Sequence, residues 1–112
     1  MHNDRTALKS ILESIDKILK YSSEYNSGEE LFNDQETFDA CMMNFIVIGE
    51  MVNRLTPDLI LSSPKIPWNQ MRGFRNIIAH DYFGIDADEV WDIIEKHLPD
   101  ARHQITNLIE SL

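Results

Sequence analysis

The chain has 112 residues, enough for one domain with its own core and too few for two. Hydrophobic residues make up 43%, which excludes a disordered chain, and four glycines with four prolines favour long helices over a turn-rich β-fold. The formal charge of −9 and a pI near 4.7 exclude the global basic surface of a general nucleic-acid binder, so any phosphate contact must come from a local Arg/Lys cluster.

From about Asp4 to Tyr25, Leu8, Ile11, Leu12, Ile15, Ile18 and Leu19 recur at three-and-four spacing and predict an amphipathic helix capped by Asn3 or Asp4. Ser22 to Gly28 reads as a stop and a loop. A second helix is predicted from Asn33 or Asp34 to about Leu55, carried by Phe38, Cys41, Met42, Phe45, Ile46, Gly49, Val52 and Leu55. Met43, Val47, Ile48 and Met51 widen its apolar arc, as expected of a helix that is central in a bundle or faces a partner chain. Gly49 costs that helix about 1 kcal/mol against alanine, so another backbone is expected to approach closely there.

Thr56-Pro57-Asp58 is a cap with proline at the first helical position and predicts a short turn to Ile60 or Leu61. After a loop from Ser62 to Pro67, a third substantial helix spans about Trp68 to His80 and breaks at Asp81-Tyr82-Phe83-Gly84. Asp86 and Glu89 form a capping box for the last helix, whose apolar phase runs from Val90 to Leu112 straight through Pro99. That continuity predicts one kinked helix. The sum is an all-α, four- to five-helix up-and-down bundle in a single domain, residues 1–112.

The lone cysteine, Cys41, cannot form an intramolecular disulfide. The polar N-terminus lacks the apolar stretch of a signal peptide, and no apolar run reaches the roughly 18 residues of a membrane span. A cytoplasmic location is expected, with no membrane contact.

Residues 71–82 carry the chemistry. Asn76 and His80 are four apart and share a helical face; Arg72 and Arg75 are three apart. Arg75 and His80, five apart, lie roughly 140° from each other on an ideal helix. They converge only if the arginine wraps round or His80 sits at a relaxed helix end. Metal-independent RNA cleavage needs a base for the 2′-hydroxyl, an acid for the leaving oxygen and a cation for the charge gathering on phosphorus. Histidine serves either proton role and arginine fits phosphate oxygens. One chain offers one histidine in this cluster; a two-fold dimer would supply two and double the arginines. The plainer alternative is an Arg and a His that only cap the carbonyls of a helix C-terminus.

With its surroundings, Arg75-Asn76-x-x-x-His80-x-Tyr82 resembles the R-x4-H-x-Y signature of HEPN domains, specifically the HepT-like toxins. The likeness extends to Asn44 through Leu55, to Ile66-Pro67-Trp68, and to Gly84-Ile85-Asp86 with Val90-Trp91, covering roughly residues 5 to 110. The resemblance implies a HEPN-like homodimer with these residues in the intersubunit cleft, and a toxin that cleaves mRNA or tRNA without a metal or other cofactor. It also implies a nucleotidyltransferase antitoxin, MntA, that transfers AMP from ATP to the motif tyrosine, here Tyr82. On this reading Arg75, His80 and Asn76 are catalytic, and Arg72 with Arg75 binds the substrate phosphate. The acidic composition departs from what broad RNA affinity requires. A non-catalytic nucleotide- or partner-binding subunit of a nucleotidyltransferase, and a purely structural bundle, are the competing readings.

Among the other residues, Glu50 is either a solvated carboxylate or an ion-pair partner of Arg72 or Arg75. Asp81, adjacent to His80, is not expected to orient its ring. His97 and His103 lack metal-ligand spacing, and His2 lies at the terminus, so no metal site is expected. Trp68 and Trp91 read as core or interface anchors.

Overall fold

The computed structural model describes residues 3–112; His2 lies outside them. Among the described residues seven α-helices follow in order: α1 (Asp4–Ser22), α2 (Gly28–Asn33), α3 (Gln35–Val52), α4 (Pro57–Ser62), α5 (Trp68–His80), α6 (Ala87–Asp92) and α7 (Leu98–Ser111). A 3-10 turn (Tyr82–Gly84) follows α5, and a π-helical turn (Ile93–His97) joins α6 to α7. No strand occurs among the described residues.

The helix starts are encoded by side-chain caps. Asn3 accepts the Thr6 N–H, Asp34 accepts that of Thr37, Thr56 accepts that of Leu59, and Asp86 accepts those of Asp88 and Glu89. α1 ends at Ser22, three residues before the expected end, where the Ser22 hydroxyl turns back to the Ile18 carbonyl at 2.8 Å. The predicted loop from Ser22 to Gly28 is shorter than expected because Gly28 already opens α2. Ser27 accepts the Glu30 N–H at 3.1 Å, and the Glu30 carboxylate accepts the Asn26 N–H at 3.3 Å. This is a variant of the reciprocal capping arrangement. α3 stops at Val52, with residues 53–55 forming a turn.

α3 lies between α1 and α5, and α7 packs on the other side of α1. Contacts at the ends give the directions. Asp4 at the start of α1 accepts hydrogen bonds from the Thr56 amide (3.0 Å) and hydroxyl (2.7 Å) beyond the end of α3. Arg5 reaches the Ile109 carbonyl near the end of α7, and Arg102 pairs with Asp16 at 2.6 Å. Neighbours therefore run antiparallel, as an up-and-down bundle requires.

The core is built from Leu8, Ile11, Ile15 and Ile18 of α1, Phe38, Met42, Phe45 and Ile48 of α3, and Ile78, Val90, Ile94 and Ile105 of the later helices. Each such side chain contributes about 1.5–3 kcal/mol by leaving water. Trp68 is buried and donates its indole N–H to the Ser63 carbonyl at 3.1 Å, while Trp91 packs partly buried on the core.

Where a kinked helix is predicted, a π-helical turn joins α6 to α7. Pro99 lacks an N–H, and its ring would collide with the carbonyl four residues back. Just before it the helix widens, and the Leu98 N–H bonds to the Ile93 carbonyl five residues away. The extra residue is absorbed without ending the helix, so Val90, Ile94, Leu98, Ala101, Ile105 and Ile109 all stay buried.

Candidate functional site

α5 runs Trp68–His80 as expected. It carries no acidic residue, and residues 59–80 contain Lys65, Arg72 and Arg75 but no Asp or Glu. In a chain with 19 acidic residues, this segment is the local break in negative charge. Ile78 and Trp68 are buried, so the opposite side of α5 faces outward. At 3.6 residues per turn, Asn69, Gly73, Asn76 and His80 fall on that outward stripe, with Arg72 at its edge. Asn76 and His80 are exposed.

Arg75 lies off this stripe, at the seam with α3, and is half-buried. Gly49 makes room for it: a Cβ on Gly49 would stand 2.3 Å from the Arg75 Cβ. This is the close approach that Gly49 predicts. One residue on, Glu50 pairs with Arg75, Oε1 to Nε at 2.7 Å. The Nε–H does not line up on that oxygen as a hydrogen bond would, so the contact is an ion pair at the helix seam. The guanidinium then bends outward, and Nη1 donates to the Asn76 Oδ1 at 3.2 Å. The arginine thus reaches its neighbour Asn76 on the exposed stripe, and His80 sits at the end of the helix. No hydrogen bond joins Arg75 to His80 directly among the described residues. Arg72 is held separately, its Nη2 donating to Asn69 at 2.7 Å.

His80 is the last residue of α5. The chain leaves the helix at Asp81 (φ −149°, ψ 66°), whose N–H still bonds to the Ile77 carbonyl. Asp81 does not serve His80; its carboxylate accepts the Gly84 N–H at 3.1 Å and closes the 3-10 turn.

That turn sets Tyr82. Its ring packs edge-on against Phe38 (centroids 6.5 Å apart) and Phe83 (5.9 Å), and its hydroxyl donates to Asp39 on α3. Burial first, and the Asp39 carboxylate second, push the Tyr82 phenol well above its ordinary value near 10. Sequence reasoning did not find Asp39; its partner lies 43 residues away, and no spacing rule connects them.

Asp39–Tyr82 and Glu50–Arg75 cross-link α3 and the α5 region in antiparallel order, with the Phe45–Phe74 ring pair (4.9 Å) behind them. On the outside, Met43 (59% exposed) and Ile77 (56%) are large apolar side chains left in water. Behind α5, an apolar groove of about 310 Å³ lies between Phe45, Met71, Phe74, Ile93 and Leu98, away from the His80 stripe. No group of three or more His, Cys, Asp or Glu suited to a metal occurs among the described residues, and no described helix is long and apolar enough to cross a membrane.

Fold and face together define an all-helical protein that gathers guanidinium, carboxamide and imidazole groups on and beside one helix in an otherwise acidic chain. The profile of the family described as ribonuclease HepT-like matches residues 11–108, and the chain belongs to that family. It is similar to the Methanocaldococcus jannaschii protein named "Putative RNase MJ0127", 32% identical over 108 residues, 96% of this chain and 88% of that one. It is also similar to the "Probable ribonuclease HepT" of Thermococcus cleftensis, 28% identical over 101 residues, 90% of this chain and 91% of that one. No solved structure matches the chain.

Proposed function

We propose that the chain is the toxin of a toxin–antitoxin pair, a metal-independent endoribonuclease that cleaves mRNA or tRNA in the cytoplasm at a site shared by two copies. A minimal nucleotidyltransferase of the MntA kind silences it by transferring AMP to Tyr82. Family membership supports the ribonuclease reading. The observation that carries the finer one is the delivery of the Arg75 guanidinium, by way of Asn76, to the exposed face that ends in His80.

The chemistry follows from the groups present. The RNA 2′-oxygen attacks the adjacent phosphorus, and the 5′-oxygen leaves. One imidazole takes the 2′-hydroxyl proton, and a second protonates the leaving oxygen. Arg75 and Arg72 hold the non-bridging oxygens as negative charge builds there. Asn76 keeps Arg75 turned towards that phosphate. Each chain contributes one His80, so both proton roles are filled only when two copies meet. The exposed Ile77 of α5 and Met43 of α3 are apolar surface that such an interface would cover.

His80→Ala removes an exposed side chain and is expected to leave fold and mass in solution unchanged while abolishing RNA cleavage and growth arrest. Undiminished toxicity in that variant defeats the assignment.

The charge of −9 and the neutralising contact of Glu50 on Arg75 favour a second reading, a non-catalytic nucleotide- or partner-binding subunit of a nucleotidyltransferase. Incubation of the purified chain with RNA at neutral pH in EDTA separates the two: cleavage supports the nuclease, and intact RNA supports the binding subunit.

A further inference from the structure

The Asp39–Tyr82 contact has no part in RNA cleavage as drawn above, yet it joins the only acidic side chain that touches the Tyr82 hydroxyl among the described residues. The Tyr82 ring has a packing contact with buried Phe38 that does not involve Asp39, while Phe83 on its other side is fully exposed. Asp39 is exposed, and among the described residues it forms no ion pair that would occupy its charge. The hydrogen bond lies at the surface, and Tyr82 itself is half-buried.

We propose that Asp39 is the base that takes the Tyr82 phenolic proton when that hydroxyl attacks the α-phosphorus of a nucleoside triphosphate. The inference rests on the reading of Tyr82 as the AMP acceptor and adds the group that makes it react. The phenolic oxygen forms a bond to the α-phosphorus. The bond from that phosphorus to the β-phosphate oxygen breaks, and pyrophosphate leaves with the electron pair. The proton passes along the existing hydrogen bond to the Asp39 carboxylate. A phenol is a poor nucleophile until its proton goes, and Tyr82 is held harder to ionise than a free tyrosine. A positioned base commonly contributes about 10²–10⁴-fold to such a step.

The test uses the full chain, ATP and a minimal nucleotidyltransferase, with AMP addition followed by intact mass and peptide mapping. Asp39→Asn keeps an oxygen to accept the hydrogen bond and removes the basicity. It is expected to slow transfer to Tyr82 by about 100-fold in kcat with KM for ATP little changed. Asp39→Glu should recover part of the rate. In Asp39→Asn the residual rate should climb with pH, as solvent hydroxide takes over the proton; the ionisable neighbours in sequence, Glu36, His80 and Asp81, are common to both chains. A purely structural Asp39 predicts no such slowing, because removing its charge makes the phenol easier to ionise.

Transfer at the wild-type rate in Asp39→Asn, with none in Tyr82→Phe, overturns the base and leaves the acceptor standing. No AMP on Tyr82 in the wild-type chain, or equal AMP addition in Tyr82→Phe, overturns the acceptor and the base with it. A second arm needs no transferase. An aryl sulfonyl fluoride labels a tyrosine by forming an S–O bond as fluoride leaves and a base takes the proton. Labelling of Tyr82 at least tenfold slower in Asp39→Asn supports the proposal, and equal labelling overturns it.

Discussion

Replacing Gly49 by alanine probes the seat of Arg75 with a single methyl group. The new Cβ would meet the Arg75 Cβ at 2.3 Å, its Cγ at 2.8 Å and the Met71 carbonyl oxygen at 3.2 Å. Ordinary contact begins near 3.4 Å, so α5 must move away from α3 by roughly 1 Å at this point. The nearest atom is fixed to the α5 backbone, so rotation of a side chain cannot relieve it. Overpacking of this kind costs about 1–3 kcal/mol, against a gain of about 1 kcal/mol from replacing a mid-helix glycine. The net expectation is a loss of about 1 kcal/mol, a fall of several degrees in Tm for a domain of this size. The effect on cleavage should be larger. A shift of 1 Å draws Arg75 away from Glu50 on α3, and misplacement on that scale costs on the order of 10²-fold in rate. Gly73→Ala is the internal comparison: nothing lies within 4 Å of a Cβ there, so the same substitution should stabilise by up to about 1 kcal/mol. Urea unfolding followed by far-UV circular dichroism gives the stabilities, and cleavage of a labelled RNA gives the rates. A Gly49→Ala chain that gains stability as Gly73→Ala does and cleaves RNA at the wild-type rate would refute the close approach and its role.

Other consequences follow from burial and charge. The raised Tyr82 phenol means that above pH ~10 the unfolded chain loses a proton the folded chain keeps. Stability associated with this group is therefore intact below that pH and declines as pH rises beyond it. Tyr82→Phe should remove part of the alkaline loss; Asp39→Asn should lower the phenol only in part, since burial is the larger cause, and an ultraviolet pH titration checks both. Burial also pushes the Cys41 thiol up to about 11, so a thiol reagent at neutral pH should label the chain only in denaturant. Rapid labelling of the native protein would show that α3 does not lie at the centre of the bundle.

Much of the fold was legible because the sequence marks helix ends with chemistry. Pro67 before Trp68 and the break after His80 set both ends of α5, and the caps at Asn3, Asp34, Thr56 and Asp86 start four more helices. α2 escaped because six residues with only Leu31 and Phe32 make no periodic stripe; the Ser27-x-x-Glu30 spacing was its one signal. The π turn was invisible because Val90, Ile94, Leu98 and Ala101 keep helical spacing across it, and only Pro99 hinted at a disturbance. At the site, Glu50 could be read as a partner of the arginines and Gly49 as a point of close helix approach, since a carboxylate among apolar residues and a mid-helix glycine both need a reason. Which arginine Glu50 meets depends on how α3 and α5 are rotated against each other, and that is settled by packing of Phe45 on Phe74. Asp39 had no such mark: an exposed acid on an amphipathic helix is ordinary until a distant tyrosine is found against it.

The proposal that two copies share one site is tested most directly by the RNA cleavage rate per chain, measured in EDTA over a wide range of chain concentration alongside the mass in solution. Two copies completing one site predict a rate per chain that falls away as dilution separates them and recovers when they are concentrated again. A rate per chain that stays constant while the measured mass drops to that of one chain would show that a single copy holds the whole machinery.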